Sequence, residues 1–311
     1  MSDDRRFWEE PQSTFDIRVV ADAETNQKPP GWTRFVCFSD THGLHEDIRH
    51  RPVADVLLHS GDFTNAGELG LVQSFSTWLK AYPASHKVVI AGNHDTTFDE
   101  KSYRQLHHRK PDAAACRKAR YALLSSGCTY LEDSATDVLG YQIYGSPWSP
   151  VKAKVPPGWA FGLPRGKLCR EAWWRIPAEI DILISHTPPY GIRDVVRRRS
   201  QGCVDLLQAV KQLSMPVSVF GHIHEGYGVA HHGHTTFVNA STCTVSHHPV
   251  NPPIVFDMPP AIELHRARAS LVCGLPMVQE VASDGCCEVC GGTGLLLSDP
   301  CPLCQDGAEL A

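Results

Sequence analysis

Five short apolar runs in this chain end in residues that can hold metal ions. FVCFSD (35–40) opens onto Asp40-Thr-His42, DVLLHSGD (55–62) ends in Gly61-Asp62, and KVVIAGNHD (87–95) ends in Gly92-Asn93-His94-Asp95. IDILISHTPP (180–189) carries Ser185-His186, and PVSVFGHIH (216–224) closes on Gly221-His222-Ile-His224. These ligand types suit two adjacent divalent ions. Asp40, His42 and His224 complete one ion, Asn93, His186 and His222 the other, and the Asp62 carboxylate bridges both. Neutral His and Asn ligands limit the negative charge, so the pair stays electrophilic. Ions about 3.5–4 Å apart bind phosphate oxygens and lower the pKa of a bridging water, which gives a hydroxide nucleophile near neutral pH. With no thiolate in the set, manganese, iron, cobalt and zinc all remain open. Residues i and i+2 of an extended segment point the same way, which accounts for the Asp-x-His and His-x-His spacings. Gly61, Gly92 and Gly221 allow sharp turns or close backbone approach. His94 follows a proposed ligand, so it faces the substrate, where it protonates the leaving oxygen or steadies the phosphate. Asp95 is the neighbour that can orient it.

The elements that position these groups read as strands. Each run is short and mostly β-branched or aromatic, as in a sheet covered on both faces. Helix-like stretches at Glu68–Ala81, Glu100–Ser126 and Cys203–Leu213 lie between several of them. Such alternation indicates an α/β fold, whose sites lie at the C-terminal ends of the strands. VLGYQIYGSPW (138–148), TTFVNAST (235–242) and PPIVFD (252–257) lack helices between them and are assigned to a second, more antiparallel sheet. The expected architecture is a four-layer α/β/β/α sandwich of two mixed sheets with a small C-terminal zinc knuckle. Residues 1–33 read as an N-terminal extension, 34–257 as the main domain and 258–283 as a linker, within which IELHRARASLV forms one strand or helix. Residues 284–307 are the Cys-rich segment.

The bulk numbers narrow the function. At 311 residues and 42% hydrophobic content the chain can bury a full core. A net charge of -5 gives no electrostatic footprint for long nucleic acid. Met1 to Gln12 carries charges where a signal peptide needs an apolar core, and no run of about 18 apolar residues occurs, so a cytoplasmic location without a membrane partner is expected. Without a secretory signal, Asn239-Ala-Ser241 is an unused glycosylation sequon. Of 12 Cys, seven are scattered and read as reduced core residues, while five crowd into 286–304. Cys287-Glu-Val-Cys290 and Cys301-Pro-Leu-Cys304 suit one structural tetrahedral zinc, with Cys286 a bystander; such a knuckle offers a surface to a protein partner. His59 reads as a strand residue, and His107, His108, His231, His232, His234, His247 and His248 as solvated loop residues.

The ordered set Asp40-x-His42, Gly61-Asp62, Gly92-Asn93-His94-Asp95, His186 and Gly221-His222-x-His224 resembles the calcineurin-like metallophosphoesterases over about residues 34–257. The resemblance implies the same sandwich and the same ligand assignment. Leu163-Pro-Arg-Gly166, His186-Thr-Pro-Pro189, His224-Glu-Gly-Tyr-Gly228 and Asn239-Ala-Ser-Thr-Cys243 further resemble the branch named after metallophosphoesterase-domain proteins of brain. That branch implies phosphodiester hydrolysis, with cyclic nucleotides as candidate substrates and mononucleotides as candidate ligands. Some of its members lose the first His of His-x-His and are feeble enzymes, whereas His222 is present here. Ser/Thr protein phosphatases carry Asp and Arg after the second motif and Arg before the third. This chain has Asn65, Ala66 and Ala91 there, and lacking those arginines it favours a diester over a dianionic monoester. Asn65, Arg165 and Tyr227 are expected to contact substrate, although Arg165 and Arg193 equally suit surface salt bridges. Among Trp148, Trp159, Phe161, Tyr190 and Tyr227, one or two stack on a base and the rest pack. Cys287 to Gly294 resembles the Cys-rich repeat of the DnaJ co-chaperones. Two alternatives stand beside the phosphodiesterase: a low-turnover nucleotide-binding or scaffold protein, and a phosphomonoesterase or nuclease.

Overall fold

Successive side chains of a strand face opposite sides of a sheet, and here both sides are apolar. Phe35, Cys37, Val56, Leu58, Val88 and Ile90 line one face of the first sheet. Their neighbours Val36, Phe38, Leu57 and Val89 line the other. A computed structural model describes residues 15–21, 26–106, 113–151, 159–274, 295–296 and 299–300. Its first sheet contains β1 (Arg18–Val20), β2 (Thr33–Phe38), β3 (Ala54–Ser60), β4 (Ala84–Ile90), β5 (Thr129–Tyr130) and β12 (Ile254–Met258) in the order β1-β12-β2-β3-β4-β5. The second contains β6 (Ser134–Val138), β7 (Tyr141–Ser146), β8 (Ile182–Ser185), β9 (Val217–Phe220), β10 (Gly228–His232) and β11 (Thr235–Asn239) in the order β10-β11-β9-β8-β7-β6. Strands β2 to β5 are parallel, as are β7, β8, β9 and β11; antiparallel strands close both edges of the second sheet and the β1 edge of the first, whose other edge is the parallel β5.

Helices cover the outer faces. In α1 (Leu69–Ala81), Val72, Phe75, Ser76 and Leu79 recur at helical spacing and are buried against the first sheet, together with Ala119 and Leu123 of α3 (Ala113–Leu124). The short α2 (Glu100–Leu106) precedes α3. On the second sheet, Trp173 of α4 (Lys167–Trp173) and Leu206, Leu207 and Val210 of α5 (Val204–Lys211) pack against Leu183, Phe220 and Phe237. The Cys203 sulfur caps α5, accepting the Leu206 N–H. The four layers are therefore those expected. Among the described residues no helix is long and apolar enough to cross a membrane.

Three expectations change. The run at 252–257 joins the first sheet, not the second. Burial suits it to either, and its partners decide: Arg34 holds Asp257 through two hydrogen bonds of 2.8 and 2.9 Å, and Phe256 stacks on Phe35 at 5.1 Å. The packed body also extends beyond residues 34–257 at both ends. Phe15 is 1% exposed between the sheets, and β1 pairs with β12. The stretch assigned to a linker begins with helix α6 (Ala261–Gly274), whose Ala261 and Leu264 enter the same core. Its basic residues have a buried partner, since Arg268 and His265 reach Asp181 at 2.7 and 3.1 Å. The four cysteines of the proposed knuckle, Cys287, Cys290, Cys301 and Cys304, lie outside the described residues. Of their segment only the antiparallel pair Leu295–Leu296 and Asp299–Pro300 is described. Leu264→Ala is expected to cost about 2–4 kcal/mol, read as a lower urea midpoint. An unchanged midpoint would return α6 to the status of a linker.

Candidate metal centre

The loops after β2, β3, β4, β8 and β9 converge because the two sheets present their strand ends to one another. Backbone bonds continue between the loops past the strand tips: Asp40 donates to the Gly61 carbonyl and His42 to the Asp62 carbonyl, both at 2.9 Å. The geometry of the ligands differs from the extended arrangement expected. Asp40, His42, Asp62 and His222 have φ values of 52°, 45°, 56° and 67°, in the left-handed region. Each side chain is turned inward by a tight backbone bend, and not by strand alternation. L-residues pay roughly 1–2 kcal/mol for that conformation, so the surrounding bonds must hold it. Two glycines make room. A Cβ on Gly92 would fall on the Asp62 carboxylate and 2.6 Å from His186 Cε1, and one on Gly221 would fall on the Asp40 carboxylate.

The side chains form two adjoining clusters. The ligand atoms of Asp40, His42 and His224 lie within 4.8 Å of one another, as do those of Asp62, His186 and His222. Asp40 Oδ1 is 3.4 Å from His224 Nε2, and Asp62 Oδ2 is 3.3 Å from His186 Nε2. Asn93 Oδ1 stands 2.9 Å from His186 Nε2, which puts the amide in the second cluster. Carbonyls fix the tautomers. His186 Nδ1–H donates to Ser60 at 2.8 Å and His224 Nδ1–H to Thr244 at 3.0 Å, so each Nε2 faces the carboxylates. Such bonds to the far ring nitrogen orient metal-binding imidazoles. His42 Nε2 faces His224 Nε2 at 3.4 Å, while His42 Nδ1 is buried without a hydrogen-bond partner. The two facing ring nitrogens, His42 Nε2 and His224 Nε2 beside the Asp40 carboxylate, are what a divalent cation would satisfy, and the glycine cradles keep the space open. The residues fit a pair of divalent ions.

Charge in the site is strongly shifted. Burial opposes ionisation of Asp62, yet the charge and hydrogen bond of His186 outweigh it and hold the carboxyl below its ordinary range. Burial likewise opposes the charged form of His186, but Asp62 raises it to about 9. Asp40 and His224 repeat the pattern: Asp40 is lowered despite burial, and His224 is raised to about 9. Burial, reinforced by the charge of His186, pushes His222 down to about 4.

The other singled-out residues divide. His94 lies at the mouth, half-buried, its N–H donating to Asp62 Oδ1 at 2.8 Å. Its Nδ1–H donates to the Asn65 carbonyl at 2.7 Å, which leaves Nε2 for a bound ester. The Asn65 backbone thus holds His94, and the Asn65 side chain is exposed. Asp95 does not orient His94: its carboxylate accepts the N–H groups of Asp62, Gly92 and Thr64 at 2.8, 2.8 and 2.9 Å, and the Thr64 hydroxyl at 2.7 Å. It clamps the β3 and β4 loops together, although burial and the charge of Asp62 push its pKa up to about 7. Arg165 and Tyr227, expected to contact substrate, and Arg193, left open between phosphate and a surface salt bridge, all donate to backbone carbonyls. Arg165 donates to the Gly202 and Gln201 carbonyls at 2.9 and 3.0 Å, Arg193 to the Val229 carbonyl at 3.0 Å, and Tyr227 to the Pro252 carbonyl at 2.8 Å. Of the five aromatic residues considered, Trp159 reaches the site, 47% exposed with its ring 4.2 Å from that of His94. His247, read from the sequence as solvated, packs its ring 4.8 Å from that of His42. Nothing in its local pattern of loop histidines marks it out. His59 is buried in β3 against Phe63 and Phe75, accepting the Gly61 N–H at 3.3 Å and facing Thr41 Oγ1 at 3.2 Å.

Comparison with known proteins agrees with this geometry. Residues 33–226 match the family model for calcineurin-like phosphoesterases. The human protein called metallophosphoesterase domain-containing protein 1 is 48% identical over 242 residues, 75% of this chain and 73% of that one. A Caenorhabditis elegans relative, UPF0046 protein C25E10.12, is 43% identical over 236 residues, 73% of this chain and 81% of its own length.

Two outcomes are expected. Asp95→Ala removes no ligand, yet unclamping the loops should weaken manganese binding by roughly 10–100-fold in a calorimetric titration; wild-type affinity would deny the clamp. His59 is pushed by burial to about 3, below its ordinary 6.5, so the unfolded chain takes up a proton that the folded chain refuses. Its contribution to stability is thus complete above about 6.5 and falls as pH drops toward 3. Urea midpoints measured between pH 6.5 and 5 should decline, less steeply in His59→Gln. Equal slopes would contradict a neutral buried His59.

Proposed function

The chain belongs to the calcineurin-like phosphoesterase family and is a metal-dependent phosphoesterase, and we propose that its substrates are small phosphodiesters, cyclic nucleotides among them. The observation that carries the reading is the pair of carboxylate–imidazole clusters, linked by a third group in which His42 of one meets Asp62 of the other. Asp40, His42 and His224 would hold one divalent ion and Asn93, His186 and His222 a second, with Asp62 between them. When bound, the ions supply a hydroxide nucleophile near neutral pH and offset the charge on the phosphate oxygens. His94, whose Nδ1–H is fixed on the Asn65 carbonyl, has its Nε2 left to face the ester, and in the imidazolium form that Nε2–H steadies the phosphate or passes its proton to the departing alkoxide. Asp95 keeps the Asp62 and Gly92 loops in register, so the ligands need not reorganise when the ester arrives.

The diester preference draws on charge. Ala66 and Ala91 stand where an arginine pair would clamp a dianion, and the guanidiniums of Arg165 and Arg193 are committed to backbone carbonyls. The exposed face of Trp159 beside His94 offers a surface for a nucleobase or aryl group. Manganese, iron, cobalt and zinc all suit the donor set. Asp62→Asn and His222→Gly are each expected to lower turnover of bis-p-nitrophenyl phosphate about 100-fold or more while the circular dichroism spectrum is retained. Full activity in both variants would remove the two-ion reading. A higher kcat/KM for p-nitrophenyl phosphate than for the diester would remove the diester preference alone.

A further inference from the structure

We propose that His247 is a substrate-binding residue of this centre, donating an imidazole N–H to a phosphate oxygen beside His42. The inference rests on the phosphoester reading above and adds a contact to it. The His247 ring lies 4.8 Å from that of His42 and 5.9 Å from that of His224, and the residue is exposed. The His42 ring also lies 4.8 Å from that of His94, so two imidazoles that solvent reaches adjoin it. An ester seated over the His42 cluster would meet both.

His247 is held there by more than its own turn. Its N–H donates to the Thr244 carbonyl at 2.8 Å, and Thr244 N–H donates to the His248 carbonyl at 2.9 Å. The same Thr244 carbonyl accepts Nδ1–H of His224 at 3.0 Å. One oxygen therefore sets the direction of a proposed ion ligand and the position of His247. The segment is tied to β2 by the Thr242 N–H on the Ser39 carbonyl at 2.8 Å, and to Asp40 by the Ser241 hydroxyl at 2.9 Å. The turn places His247 at φ 55°, a left-handed conformation, and among the described residues its side chain makes ring contacts and no hydrogen bond.

Chemistry favours the phosphate over the ions as its partner. Among the described residues, the groups whose ligand atoms all lie within 4.8 Å of one another include His42, His94 and His224 but not His247. A neutral imidazole carries one N–H donor, so the contact needs no change of protonation. It also supplies a donor at a site whose nearby arginines are engaged elsewhere.

Two variants separate the side chain from the turn. His247→Gly suits the positive φ and removes the ring, whereas His247→Asn tolerates that φ and keeps an N–H donor. Inorganic phosphate titrated into the manganese-loaded full chain should bind about tenfold more weakly in His247→Gly. KM for bis-p-nitrophenyl phosphate should rise about tenfold with kcat little changed, and His247→Asn should recover part of both losses. Manganese content should stay at the wild-type level. Phosphate affinity equal to wild type in His247→Gly would overturn the proposal, and so would loss of manganese. If the wild-type chain turned over no diester, the phosphodiesterase reading would fall, while the phosphate titration would still decide the role of His247.

Discussion

Two carboxylates removed from water at a seam between sheets govern this molecule. Asp40 and Asp62 are 0% and 2% exposed, and both project from the first sheet. The imidazoles that compensate them, His186 and His224, come from the second. Burying a lone carboxylate costs several kcal/mol, and breaking a buried pair leaves that cost uncompensated. The pairing therefore constrains how the sheets can sit. Backbone and hydroxyl donors complete it: His222 N–H and Ser241 Oγ–H reach Asp40, and His94 N–H reaches Asp62. The apolar layer between the sheets supplies the general attraction, while these charge contacts fix the relative position of the strand ends.

Several features follow from bringing so many ligands to one point. Four of them occupy left-handed backbone, where strain persists only if surrounding bonds over-determine it. Those bonds are visible: Asp95 gathers three N–H groups and a hydroxyl from two loops, and Thr244 orients His224 from a third. Gly92 and Gly221 are required where a side chain would collide with Asp62 and Asp40. The centre is rigid before a ligand arrives, which suits an electrostatic catalyst whose donors must not reorganise during reaction.

Much of this was legible in the sequence because the ligands are coupled to strand ends. Runs such as KVVIAGNHD announce both a buried strand and the polar turn after it, and the helix-like stretch Glu68–Ala81 contains α1. What escaped notice depends on long-range pairing. The apolar pattern of 252–257 does not say which sheet it enters; a buried contact with Arg34, more than two hundred residues earlier in the chain, decides it. Helix α6 looked like a linker because its basic residues mask an apolar face, and Asp181 that neutralises them is distant in sequence. Arg165 and Tyr227 read as substrate contacts, since sequence does not reveal a backbone carbonyl partner. The sequence brings Asp95 to the site through its place beside His94, while its clamp on the β3 and β4 loops depends on Asp62 and Thr64, about thirty residues away. Trp159 and His247 reach the site through loop paths that no periodicity encodes.

The central claim is that seven side chains from two sheets surround a pair of cations. Anomalous diffraction from crystals soaked in manganese tests it most directly. Two peaks about 3.5–4 Å apart are expected, one beside Asp40, His42 and His224 and the other beside Asn93, His186 and His222, with Asp62 between them. A single peak, or manganese bound away from Asp62, would contradict it.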